Sequence, residues 1–76
     1  MNKSRRDRIE LVVQTLKVLR DEIYSVREDE DEAYNNLPEQ LQWSAFGQAM
    51  NDAAQLISEA YGNIESALEN LDDAMA

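Results

Sequence analysis

The sequence predicts an all-α protein: a long antiparallel helical hairpin, coiled-coil-like, that dimerises into a four-helix bundle. Three observations carry this. Apolar residues recur at steps of three and four along two long segments. Only two Gly and one Pro stand in 76 residues, and the Pro falls between those segments. Each segment also holds more apolar residues than one neighbouring helix can cover. The chain is read as one hairpin domain, residues 1–76.

The first helix is expected over about residues 4–34. Its apolar positions are Ile9, Val12, Leu16, Leu19, Ile23 and Val26, followed by Glu30, Ala33 and Leu37. Leu11, Val13, Val18 and Tyr24 lie off that seam. Ser4 or Asn2 can cap its start by accepting from a free backbone N–H. Asn35-Asn36 is expected to end it in the left-handed conformation that Asn tolerates. Residues 35–37 then form the turn, because Pro38 cannot continue a helix and restricts Leu37 to extended geometry.

Pro38 suits the start of a new turn, expected over residues 38–42. Ser44 is a good N-cap for the second long helix, over about residues 44–75. That helix repeats every seven residues. Met50, Ile57, Ile64 and Leu71 fill position a, and Ala53, Ala60, Ala67 and Ala74 fill position d. Ala54, Tyr61, Leu68 and Met75 fill position e, while Trp43 and Phe46 extend the a/d series one heptad earlier. A column of Ala lets two helix backbones approach to the lower end of the usual ~8–10 Å spacing. Met50, Ala53, Ile57, Ala60, Ile64, Ala67 and Leu71 are therefore the candidate self-association residues. Trp43 and Phe46 are expected to plug the open end of the core.

Composition removes whole classes of chemistry. There is no Cys and no His, so disulfides, thiolate metal sites and the commonest general base are absent. No Ser has a His to activate it, and regular paired helices offer no pocket across which two carboxylates could work. No enzyme activity, no cofactor and no metal site are expected. The longest apolar run, Leu11-Val12-Val13, is far short of the ~20 residues that span a bilayer, and the basic start has no apolar stretch behind it. The expected setting is the cytoplasm, with no membrane partner.

Charge is the most unusual feature. The net charge is −9, yet Lys3, Arg5, Arg6 and Arg8 against Asp7 give the first eight residues +3, which leaves −12 for the rest. An antiparallel hairpin is expected to set Arg5, Arg6 and Arg8 opposite Glu69, Asp72 and Asp73; an antiparallel dimer could set them against a second copy's acidic tip. The overall acidity argues against direct nucleic-acid binding. Glu28–Glu32 lacks the Gly turn and ligand spacing of a calcium loop. A rigid acidic helix could instead mimic nucleic acid toward a basic host protein. Glu28, Asp29, Asp31 and Glu32 are the candidate contacts, with Trp43 and Phe46 as apolar anchors. The plainer reading, a solvated surface that keeps a small bundle in solution, stands beside it.

Residues Asn36 to Met50 resemble a recurring segment of small bacterial phage and prophage proteins, Asn-Leu-Pro-Glu-x-Leu-Gln-x-Ser-x-x-Gly-x-x-Met followed by Ala-rich acidic heptads. Asn36, Leu37, Pro38, Glu39, Leu41, Gln42, Ser44, Gly47 and Met50 match, and the likeness runs on to about Leu71. Trp43 and Phe46 are apolar where such proteins would be expected to be polar. The resemblance implies a setting, a mobile-element protein in a bacterial host cell, and no activity. By analogy of size and acidity it brings in blockers of restriction and CRISPR enzymes. Two functions result: a self-associating protein-binding module, and an acidic inhibitor of a nucleic-acid-binding defence protein.

Overall fold

The computed structural model describes residues 1–76 as three helices and no strand: α1 Lys3–Asn35, α2 Glu39–Gln42 and α3 Ala45–Met75. The boundaries lie within a residue of the expected ones. Asn2 supplies the first cap, its Oδ1 accepting from the Arg5 N–H at 3.0 Å. Ser44 caps α3, its hydroxyl oxygen accepting from Gly47 N–H at 3.3 Å.

The end of α1 differs from expectation. No residue has a positive φ; Asn36 stays right-handed at φ −83° and ψ −8°. The helix stops because Pro38 has no N–H to offer the Tyr34 carbonyl and adopts φ −54°, ψ 144°. Two other groups take that carbonyl: the Leu37 N–H at 3.1 Å and the Gln42 side-chain amide at 3.2 Å. The same amide nitrogen donates to the Leu37 carbonyl at 3.2 Å. Gln42 thus ties the end of α1 to the end of α2.

α3 folds back along α1. Arg27 stands against Ala54, Tyr24 against Tyr61, and Arg20 against Glu65. Descending numbers on one helix meet ascending numbers on the other, so the pair is antiparallel. The chain forms a rod with backbone extents of 58 × 15 × 13 Å.

The seam between the helices is not the expected one on α1. The buried apolar side chains are Val13, Ala54 and Leu68, whereas Val12, Leu19 and Val26 stand 49 %, 51 % and 42 % exposed. The inward positions of α1 are Ile9, Val13, Leu16, Arg20, Ile23, Arg27, Glu30 and Tyr34. Those of α3 are Gly47, Met50, Ala54, Ile57, Tyr61, Ile64, Leu68, Leu71 and Met75. Both are heptad rows. On α1 the inner row includes two arginines, whose methylene stems cover apolar surface while the guanidinium reaches polar groups. Arg27 Nη1 donates to the Ala54 carbonyl at 3.1 Å, and its Nε to both Asp31 oxygens at 3.0 and 3.1 Å.

Candidate functional site

Each helix has two flanks beside its inner row, and the clefts identify which flanks share a face. Tyr24, Arg27, Glu28 and Asp31 line one cleft with Ser58 and Tyr61. Lys17 and Arg20 line another with Glu65, Glu69, Asp72 and Asp73. One broad face of the hairpin is therefore polar. Arg20 lies in it with Asp21 at 3.2 Å and Glu65 at 3.4 Å. The Asp21 hydrogen bond, reinforced by the Asp21 and Glu65 charges, holds Arg20 above the ordinary arginine range despite partial desolvation. Tyr61 packs on Tyr24 with ring centres 5.8 Å apart, inclined at 53°. Partial desolvation, then the nearby Glu65 carboxylate, push its phenol above the usual tyrosine value.

The opposite flanks share the other face, which is apolar. α1 contributes Val12, Leu19, Val26 and Ala33, edged by Arg8, Thr15, Glu22 and Asp29, while Leu11 and Val18 lie on its side away from α3. α3 contributes Phe46, Ala53, Ala60, Ala67 and Ala74, with Leu56 beside them. Of the residues singled out for self-association, Met50, Ile57, Ile64 and Leu71 line the seam inside the hairpin. Ala53 and Ala67 are half-buried at its edge, and Ala60 is exposed on the apolar face.

The acidic candidates do not share a face. Glu28 and Asp31 border the polar cleft, and Asp31 is held by Arg27. Asp29 flanks the apolar stripe, and Glu32 points away from α3. Trp43 and Phe46 do not plug the core: they are 76 % and 61 % exposed. Phe46 follows the Ala column, which is not the inner row, and the corner is closed without it. Leu37 and Gln42 are half-buried there, and Gly47 is buried. A Cβ on Gly47 would press on the carbonyl oxygens of Leu41 and Gln42 and lie 2.7 Å from the Gln42 carbonyl carbon. Only Gly allows α3 to start so close to α2.

The basic start does not pair with the C-terminal acids. Continuing the observed register sets Ile9 beside Met75, so Met1–Arg8 run past the end of α3. Glu69, Asp72 and Asp73 lie instead near Lys17 and Arg20. None of Lys3, Arg5, Arg6 or Arg8 makes an ion pair within the chain.

Arg20, Arg27, Gln42 and Gly47 are the positions that sequence reasoning missed. A signal existed for the arginines. Large residues in the a and e columns of α3 require the matching rows on α1, and those rows pass through Arg20 and Arg27.

No three carboxylates are placed to hold a metal ion together, and no helix is long and apolar enough to cross a membrane. No family model, curated protein or solved structure matches the chain.

Proposed function

We propose that this protein is a non-enzymatic, acidic, self-associating protein-binding module whose hairpin pairs with another through its apolar face, giving a four-helix bundle. The observation that supports it is the division of the hairpin into two unlike faces. Ion pairs and polar side chains occupy one; on the other, exposed Val12, Leu19, Val26 and Phe46 line up with the Ala column, edged by Arg8, Thr15, Glu22 and Asp29. A contiguous apolar strip of this kind is uncommon on a monomer and marks an interaction surface. The rod that carries it is 58 Å long at the backbone, and the column from Val12 to Ala33 takes up about 30 Å of it. Sedimentation equilibrium at tens of micromolar tests it. A mass of twice the 8.7 kDa chain is expected, and a fully helical monomer would reject the reading. Leu19→Glu should abolish association while leaving helicity unchanged, since Leu19 is not needed for the seam.

One observation favours a second reading, the acidic inhibitor. Glu28, Asp29 and Glu32 make no ion pairs within the chain, and Trp43 and Phe46 are exposed. Reversing Glu28, Asp29 and Glu32 to Lys, with Asp31 kept because it holds Arg27, should then leave the fold intact and abolish binding to a basic host protein. Binding that survives both the reversal and half-molar salt would exclude this mechanism. The mobile-element setting and the bacterial cytoplasm belong to the same proposal.

A further inference from the structure

We propose that the occupant of the apolar face is a second copy of this chain laid antiparallel, α1 against α1, with the two-fold axis at Leu19. The inference rests on the self-association reading and adds its orientation and register. Val12, Leu19 and Val26 form one column at seven-residue steps, symmetric about Leu19. A two-fold there sets Leu19 on its own copy and Val12 on Val26 of the second copy, and each such contact occurs twice.

Charge selects this arrangement over the parallel one. The column begins with Arg5 and is flanked at that end by Arg8. At its other end are Ala33, Asp29 and Glu32. Arg8 lies eleven residues before Leu19 and Asp29 ten after it, a mismatch of about 1.5 Å along the helix. Both belong to the row next to the column, so an antiparallel pair brings Arg8 against Asp29 of the second copy and Arg5 beside its Glu32 and Ala33. None of Arg5, Arg8, Asp29 or Glu32 is committed to an ion pair in its own chain. A parallel dimer would stack acidic tip on acidic tip and basic start on basic start. The overhang fits the same picture. Because α1 begins beyond the end of its own α3, the basic turn is open to the α1 of a second copy. The Ala53–Ala60–Ala67–Ala74 column beside it is small enough not to hold the two α1 helices apart.

Cysteine cross-linking tests it directly, since the chain has no Cys. Oxidised Leu19→Cys should give a covalent dimer. Val12→Cys and Val26→Cys should cross-link when mixed, and neither should alone. Arg8→Asp and Asp29→Arg should each weaken association about ten-fold, as two pairs are lost per dimer, and the double variant should restore it. A dimer by sedimentation that fails to cross-link at Leu19 would overturn the orientation and leave self-association standing. A monomer would overturn both. Cross-linking of Val12→Cys to itself would also reject the register.

Discussion

At the corner, from Asn36 to Gly47, backbone carbonyls find named partners: Gln42 serves Tyr34 and Leu37, the Ser44 hydroxyl donates to Leu41, and the Pro38 carbonyl accepts from Leu41 and Gln42. Along the shaft, two helices of 33 and 31 residues meet, and only Val13, Ala54 and Leu68 are buried apolar side chains. The corner is specified by close approach and hydrogen-bond geometry. The shaft is specified by a pattern, with most of its seam still partly wet. A point change at the corner should therefore be felt more sharply than a typical one along the shaft.

The strongest expected effect is at the corner. Gly47→Ala must push α3 off the Leu41 and Gln42 carbonyls and should cost about 3 kcal/mol, the upper part of the overpacking range, in chemical denaturation. Leu68→Ala, at a buried side chain of the shaft, should cost about 2 kcal/mol, the low end for such truncations, because a slim seam can collapse onto the gap. Gln42→Ala should cost about 1 kcal/mol, since the Tyr34 carbonyl keeps the Leu37 N–H as a partner. Gly62, by contrast, faces open space: a Cβ added there would meet nothing within 4 Å. Gly62→Ala should raise the melting temperature, stabilising by about 0.5–1 kcal/mol through the unfolded chain and helix propensity. If Gly47→Ala and Gly62→Ala behaved alike, the contrast between corner and shaft would be void.

The smallest effect is one of pH. The Tyr61 phenol is held above its ordinary value of 10.0, so the folded state keeps that proton more tightly than the unfolded chain. Its contribution is complete below the unfolded tyrosine range and is lost as pH rises through the folded value. Melting followed at increasing alkaline pH should show this decline, and Tyr61→Phe should flatten it.

The same contrast explains what the sequence could and could not disclose. Both long helices are legible because their signals are local: Ser44 as a cap, Pro38 as a stop and heptads between. The α1 seam is not. Beside the shared positions Ile9, Leu16 and Ile23 lie two candidate rows, Val12-Leu19-Val26 on one side and Val13-Arg20-Arg27 on the other. Hydrophobicity picks the first. The fold uses the second, because an arginine stem packs like an apolar chain and its head can reach the Ala54 carbonyl across the seam. The pattern places the end of α1 within a residue, but by a left-handed Asn that does not occur. Gln42 is not foreseeable as a cap, since its role depends on a fold-back eight residues long. Of the candidate contact residues, Trp43 and Phe46 are expected inside and stand outside. The Ala column reads as a packing surface, and it lies beside the seam at the edge of the apolar face.

So thin a seam also has a calorimetric consequence. Heat-capacity change on unfolding follows the apolar surface newly given to water, and a compact globule of 76 residues would show about 1 kcal/mol/K. A hairpin that fully buries only Val13, Ala54 and Leu68, with the rest of its seam half-buried, has less of that surface to release. The single chain should melt over a broad temperature interval on a shallow stability curve, with a small denaturant m-value. If the hairpin pairs as proposed, the second copy supplies the missing burial, and the transition should sharpen and move upward as protein concentration rises. The hairpin would then acquire much of its folding cooperativity from its second copy.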